Sequence, residues 1–378
     1  MTISAPISAP VGRPAPIDGA SLPPITDLSL AELRFLVTEL GQPAFRAEQI
    51  SGWVYRSTIA SFEEMSNLPK TLRTALAERY RFVALDQRSA LLSVDGETRK
   101  VALALADGET VESVLMRYPQ RSDGTGSERA TLCVSTQVGC PVKCAFCATG
   151  LMGFARNLSS GEILDQALHF LRWTRQNPPI VRNVVFMGMG EPLLNYENTM
   201  AAIDRLVDPK CAGMGVHRMT VSTSGWIPGI TRLTEDPLAV RLAVSLHAAN
   251  DDLRTCLVPL NKRFPIADLM DALHEYQSKT GRRVTFEYTM LDGVNDAPNL
   301  AHQLVSLLRG LDSHVNLMPM NPVAEIPFAP SPWPVVEDFH SILRAAGIIC
   351  TVRRQMGRDI KAACGQLYAD LKRTSNSA

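Results

Sequence analysis

Apolar residues at Leu30, Leu33, Leu36, Val37 and Leu40 wind one stripe onto a helix, opened by a Ser29/Glu32 capping box and ended at Gly41. A second helix carries Phe45, Ile50, Trp53 and Val54, and a third runs from Leu68-Pro69 through Leu72, Leu76 and Tyr80. Over residues 90–116 the period drops to two around Asp95-Gly96 and Asp107-Gly108, which predicts a small antiparallel meander. A polar loop over residues 118–129 follows. Beyond residue 130, short apolar runs with polar ends alternate with helical segments, the runs falling at 131–135, 184–187, 218–222, 241–246, 284–289, 315–318 and 348–352. That rhythm predicts a parallel α/β unit whose strand tips feed one site. Six or seven such units are too few for an eightfold barrel, so an open or partial barrel is expected.

The expected organisation is a flexible tail over 1–24, a helical accessory domain over 25–88, a β-meander and linker over 89–129, the α/β unit over 130–368 and a tail over 369–378. Formal charge balances at zero, 38 basic against 38 acidic residues, so a nucleic-acid partner depends on local patches. Arg46, Arg56, Lys70, Arg73, Arg79 and Arg81 on the helical module read as solvated charge or as a docking face for nucleic acid. Neither a signal peptide nor a membrane-length apolar span is read in the chain, so a cytoplasmic location is expected. Eight cysteines among 378 residues are too few for a disulfide scaffold.

Three of those cysteines lie together in Cys140-Pro-Val-Lys-Cys144-Ala-Phe-Cys147. Structural zinc takes four protein ligands, usually with a second tightly spaced pair, and no such pair follows. A partial zinc site or a chance cluster remains the plain alternative. An iron–sulfur cube held by only three thiolates keeps one iron open to a reacting ligand.

The three-cysteine run resembles the cluster motif of the radical S-adenosylmethionine family. The segments Cys133-Val-Ser-Thr-Gln-Val-Gly-Cys140, Gly188-Met-Gly-Glu-Pro192, Ser245-Leu-His247 and Gly357-Arg-Asp-Ile-Lys-Ala-Ala-Cys364-Gly-Gln-Leu367 resemble, within it, the dual-specificity adenine C2 methyltransferases of ribosomal and transfer RNA. The likeness runs from about residue 28 to 368. It implies a partial (β/α)6-type radical-SAM barrel, a [4Fe-4S] cluster on Cys140, Cys144 and Cys147, and S-adenosylmethionine on the fourth iron. Gly190 and Glu191 would then receive the cofactor's amino group, Ser222, Ser245, Leu246 and His247 its carboxylate and ribose, and Asn321 its adenine edge.

The same resemblance gives Cys364 the role of methyl carrier, Cys133 that of the thiol that resolves a protein–RNA crosslink by closing a disulfide, and Glu112 that of the base removing the C2 proton. Without it, Cys364 and Cys133 read as small buried hydrophobes, and Glu112, flanked by apolar residues, as a carboxylate that either faces solvent or points into a cleft. Arg353, Arg354, Arg358 and Lys361 are candidates to clamp RNA phosphates, together with Lys262, Arg263, Arg282 and Arg283. The implied substrates are adenine 2503 of 23S rRNA and adenine 37 of some tRNAs. The implied partners are those RNAs and an external reductant for the single electron and the disulfide, acting on a monomer. An adenine C8 methyltransferase of the antibiotic-resistance type shares the thiols and the cluster, a non-methylating radical enzyme would need neither Cys133 nor Cys364, and a structural zinc or RNA-binding protein would hold no iron.

Overall fold

The computed structural model describes residues 22–57, 59–120 and 128–367. Most of the first expected tail (1–21), all of the second (369–378) and residues 121–127 of the polar loop lie outside the described residues. Three helices come first, α1 (Leu30–Glu39), α2 (Arg46–Arg56) and α3 (Lys70–Arg79). The Ser29/Glu32 capping box opens α1, and Gly41 follows its end at φ +70°, a conformation that favours glycine. Leu33, Leu36, Val37, Ile50, Val54, Leu72 and Leu76 are buried, whereas Phe45, expected on the second stripe, is exposed before α2 begins.

Strands β1 (Asp86–Leu92), β2 (Thr98–Ala104) and β3 (Thr110–Tyr118) form the expected antiparallel meander. It is not a separate layer: β3 pairs antiparallel with β4 (Arg129–Cys133), the first strand of the α/β unit. After β4 come a short ribbon, β5 (Gln137–Gly139) with β6 (Phe154–Asn157), the one-turn helix α4 (Ala148–Leu151) between them, and α5 (Ser160–Gln176). The rhythm then runs β7 (Val181–Phe186), α6 (Tyr196–Val207), β8 (Met219–Thr223), α7 (Ile227–Glu235), β9 (Arg241–Ser245), α8 (Asp251–Leu257), α9 (Ile266–Thr280), β10 (Val284–Met290), α10 (Pro298–Leu307), β11 (Ser313–Pro319), α11 (Trp333–Ala345) and β12 (Ile349–Val352). All ten main-sheet strands follow one order, β1-β2-β3-β4-β7-β8-β9-β10-β11-β12, parallel from β4 onward. This is the open partial barrel, extended at one edge by the meander.

The helical module packs on the outside of α5 and α6 and shares their core. Gly161 N–H donates to Asp27 Oδ1 at 2.7 Å, and a Cβ at Gly161 would lie 2.8 Å from the Asp27 nitrogen, so this junction needs glycine. Ser51 and Arg56 bond the carbonyls of Lys210 and Cys211 at 2.9 and 2.8 Å. Several cations of the module are engaged within the fold: Arg46 with Asn67, Arg73 with Glu63, Arg79 with Glu39 and Arg81 with Leu22. Lys70 is exposed.

Candidate active site

Parallel strands in an open barrel end on one rim, and the chain leaves each strand there. An open cavity with about 1020 Å³ of empty space sits at that rim. Its walls include Cys140, Cys144, Cys147, Gly190, Glu191, Ser222, Ser245, His247, Asn321, Arg353 and Cys364. The sequence motifs, up to about 220 residues apart in the chain, thus meet in one place.

The cysteine loop follows β5 and is fixed by backbone bonds rather than by a helix. Cys140 N–H donates to Gly153 O at 2.8 Å, Ala145 N–H to Leu257 O at 2.9 Å and Ala148 N–H to Gly365 O at 2.8 Å. Gly139 needs its φ of +73°, and a Cβ there would run into the Gly153 carbonyl. Burial pushes the Cys140 thiol up to about 12 and the Cys144 thiol well above its ordinary value, and the neighbouring thiols add to both shifts. Such sulfurs ionise when a cationic centre compensates them. Among the described residues no three His, Cys, Asp or Glu side chains gather tightly enough for a single metal ion. Three thiols along a cavity wall fit a multi-iron cluster, which spreads its ligands wider than one ion does.

Gly188 and Gly190 follow β7. A Cβ at Gly188 would meet Val134 O and Ser135 Oγ at 2.7 Å, and one at Gly190 (φ +104°) would meet Gln137 Cβ at 2.6 Å. Close packing against the segment after β4 therefore already demands both glycines. Glu191 is buried; Ser224 donates to its Oε2 from N–H and Oγ, both at 2.7 Å, and Leu193 N–H donates to Oε1 at 3.2 Å. Burial raises its pKa against those hydrogen bonds.

His247 stands at φ +59°, a conformation few side chains adopt, just beyond β9. Thr289 N–H donates to its Nδ1 at 2.9 Å, so the ring proton belongs on Nε2, and Phe146 packs edge-on with ring centroids 4.5 Å apart. Burial drives its pKa down to about 3, with the Arg254 charge adding to the shift. The unfolded chain therefore binds a proton at this residue between pH 6.5 and about 3 that the folded chain refuses, and stability falls as pH falls through that window. In urea unfolding of the cluster-free protein, acidification from pH 6.5 to 4.5 is expected to remove about 2 kcal/mol through this residue, a loss that His247→Asn lacks.

Leu246, expected among the cofactor contacts, lies behind the cavity wall. Its side chain is fully buried in the core, and its N–H and C=O are spent on Glu287 O at 3.1 Å and Arg254 Nε at 3.2 Å. Asn321 donates through Nδ2 to Cys364 O at 3.2 Å, and its buried Oδ1 has no protein partner, an acceptor available to a ligand.

Cys364 opens on the cavity although protein surrounds it. Burial raises its pKa, and the Arg353 cation opposes the shift. Cys133, buried at the end of β4, is pushed up to about 12 by burial, and the charge of Cys364 adds to this. Both are free thiols. The Cys364 segment is strapped across the rim: Thr149 Oγ1 donates to Leu367 O and Gln366 Nε2 to Pro322 O, both at 2.8 Å.

Glu112 is not a surface carboxylate. It is buried, with Oε1 2.9 Å from Lys100 Nζ, although it does not line the cavity wall. The basic group after β12 also divides. Arg353, expected on RNA phosphates, turns into the cavity and pairs with Glu287 at 3.4 Å. Arg354 and Arg358 are exposed, Arg354 pairing with Glu97 at 3.0 Å and Arg358 bonding Gln355 at 2.9 Å. Lys361 is exposed at φ +50°, and Arg283 pairs with Asp312 at 2.7 Å.

Sequence reasoning missed Glu287, Ser224, Lys100 and Arg254. A carboxylate inside the apolar strand Val284–Met290 was a usable signal for Glu287. Arg254 gave none, because α8 reads as a surface helix. Its guanidinium is fully buried and donates to Ser224 O (2.7 Å), Asn261 Oδ1 (2.8 Å), Leu246 O (3.2 Å) and Ser245 O (3.4 Å). Burial lowers its pKa to about 10, while the Cys144 charge acts the other way.

An open parallel barrel with three thiols and a ring of polar strand tips on one rim is the architecture of a radical S-adenosylmethionine enzyme, and the profile of the radical SAM superfamily matches residues 134–304. A second profile, the ribosomal RNA large subunit methyltransferase N-terminal domain, matches residues 24–81. The probable dual-specificity RNA methyltransferase RlmN of Salinispora tropica is 45% identical over 369 residues, covering 95% of this chain and 97% of the relative. The protein of that name from Chloroflexus aurantiacus is 47% identical over 352 residues, covering 90% and 91%. The crystal structure of a radical SAM methyltransferase from Sphaerobacter thermophilus superposes with a TM-score of 0.88 at 48% identity, covering 92% of this chain and 100% of that one. The chain belongs to the RlmN family of dual-specificity RNA methyltransferases. Its cofactors are accordingly a [4Fe-4S] cluster and S-adenosylmethionine.

Proposed function

We propose that this chain methylates C2 of adenine in RNA, at adenine 2503 of 23S rRNA and adenine 37 of tRNA, through an S-methylcysteine on Cys364. The observation that carries the reading is a non-cluster thiol, Cys364, on the wall of the same cavity that Cys140, Cys144 and Cys147 line. Those three thiolates hold the cluster. Bound there, it supplies the electron that cleaves S-adenosylmethionine to a radical. Glu191, Ser222, Ser245, His247 and Asn321 orient the sulfonium cofactor, with Glu191 facing its ammonium, neutral His247 donating from Nε2 and Asn321 Oδ1 accepting.

Cys364 takes a methyl group by displacement at a sulfonium carbon, with S-adenosylhomocysteine leaving. Loss of one hydrogen atom from that methyl to the 5′-deoxyadenosyl radical, giving 5′-deoxyadenosine, would let the carbon bond to adenine C2, the adduct returning one electron as its C2 proton leaves, so that Cys364 becomes the carbon's link to RNA. Glu112 removes the C2 proton of the crosslinked adenine. Cys133 then attacks the sulfur of Cys364: the S–S bond forms, the S–C bond breaks, and the electron pair passes to the released carbon, which is protonated to a methyl group. A thiol reductant restores both cysteines. The helical module, residues 25–88, serves the RNA, a reading supported by the rRNA methyltransferase N-terminal profile over residues 24–81. No helix among the described residues is long and apolar enough to cross a membrane, and RNA substrates fit a cytoplasmic monomer.

The test is an anaerobic assay with labelled methyl donor on unmodified 23S rRNA and tRNA, followed by nucleoside identification. 2-Methyladenosine is expected, and 8-methyladenosine alone overturns the regiochemistry. Cys133→Ala is expected to trap a covalent protein–RNA species on denaturing gels; its absence removes the crosslink from the mechanism.

A further inference from the structure

Lys100 lies in the middle of β2 with its ammonium buried. Burying an ammonium in a sheet is costly, and a methionine would fill the same space at less cost. Strand register places its neighbours. Lys100 pairs with Val114, and Val114 pairs with Cys133, so the three form one cross-strand row on one face of the sheet. Glu112, two residues before Val114, shares that face. The Lys100 Nζ lies 2.9 Å from Glu112 Oε1, with both side chains about 95% buried, and donates to Lys361 O at 3.2 Å. Lys361 precedes Cys364 by three residues and holds the left-handed φ of +50°.

Neutralising Glu112 needs only the first of these contacts. The second reaches 261 residues along the chain, to the segment bearing the methyl carrier. Neighbouring contacts repeat the pattern. Val94 N–H donates to Asp359 Oδ2 at 2.8 Å, Arg354 pairs with Glu97, and Gly357 packs where a Cβ would meet Thr98 Cγ2 at 2.6 Å. The β1–β2 hairpin is thus a seat for residues 354–361, and Lys100 is the point of that seat that also touches Glu112.

We propose that Lys100 is a positioning residue for crosslink resolution: it fixes the Glu112 carboxylate and, through the Lys361 carbonyl, registers the Cys364 segment against Cys133. The inference rests on the roles given above to Glu112, Cys133 and Cys364. Lys100 touches neither cofactor nor nucleotide and acts through its two partners.

The test compares Lys100→Met, Lys100→Arg, Glu112→Gln, Lys100→Met with Glu112→Gln, and Cys133→Ala in single turnovers of the cluster-loaded protein. The substrate is a labelled adenine-containing stem-loop RNA. 5′-Deoxyadenosine reports radical formation, and denaturing gels report crosslinked against released RNA. Lys100→Met is expected to form deoxyadenosine at the parental rate and to slow release from the crosslink about tenfold or more. Lys100→Arg, which keeps the cation, restores most of the release. Adding Lys100→Met to Glu112→Gln slows release no further than Glu112→Gln alone, and this neutral pair keeps the comparison open if the single methionine variant folds poorly. Parental release by Lys100→Met, an equal slowing of deoxyadenosine and release, or independent multiplication of the two single effects overturns the proposal. If Cys133→Ala traps no crosslink, the underlying mechanism fails first, and the inference with it.

Discussion

Cys364→Ala is expected to lower RNA methylation by at least about a thousandfold, the scale of removing a covalent nucleophile. Iron content, visible absorbance and unfolding midpoint should match those of the parent. Cys364 packs little: its side chain is exposed to the cavity, and the segment is held through backbone atoms, with Cys364 O accepting from Asn321 and Gly365 O from Ala148. The sulfur can therefore be removed without loosening the strap. Retained methylation by this variant would refute a cysteine-borne methyl group, and concurrent loss of iron would place Cys364 in the cluster's support instead.

Arg254→Leu is expected to cost about 3–5 kcal/mol of folding stability, because several buried acceptors, the carbonyls of Ser224, Ser245 and Leu246 among them, lose their donor together. Chemical denaturation of the cluster-free protein measures this. The same change should weaken S-adenosylmethionine binding about tenfold or more, since Ser224, which Arg254 anchors, donates twice to Glu191 Oε2. Equilibrium dialysis of the loaded protein reads the second effect. A variant as stable as the parent would mean that α8 re-satisfies these carbonyls with water.

What the chain made legible was local. The three-cysteine run, the Gly-Met-Gly-Glu turn and the Ser-Leu-His tip each carry their chemistry within a few residues, and the cavity gathers all three, although Leu246 contributes packing and backbone rather than a cavity wall. The strand–helix alternation likewise gave the open barrel. Pairing across distance was not legible. That β3 joins β4 depends on a register formed across the polar loop, so the meander read as an independent unit. Nothing in the sequence around Lys100 marked it, because its carbonyl partner is 261 residues away. Arg353 and Arg354 were grouped as one basic cluster, yet the chain leaving β12 turns one inward to Glu287 and the next outward to Glu97.

The strap carrying Cys364 has a consequence for the order in which the molecule is made. Translation delivers the cysteine loop and every strand of the rim before it delivers the segment that crosses them. Until that segment is synthesised and docks on the β1–β2 hairpin, the nascent site has Cys133, Cys140, Cys144 and Cys147 but lacks Cys364, the proposed methyl carrier. On the proposed roles, chain direction separates the part of the site that makes the radical from the part that carries the methyl group, and the contacts of Val94 with Asp359 and of Lys100 with Lys361 join the two.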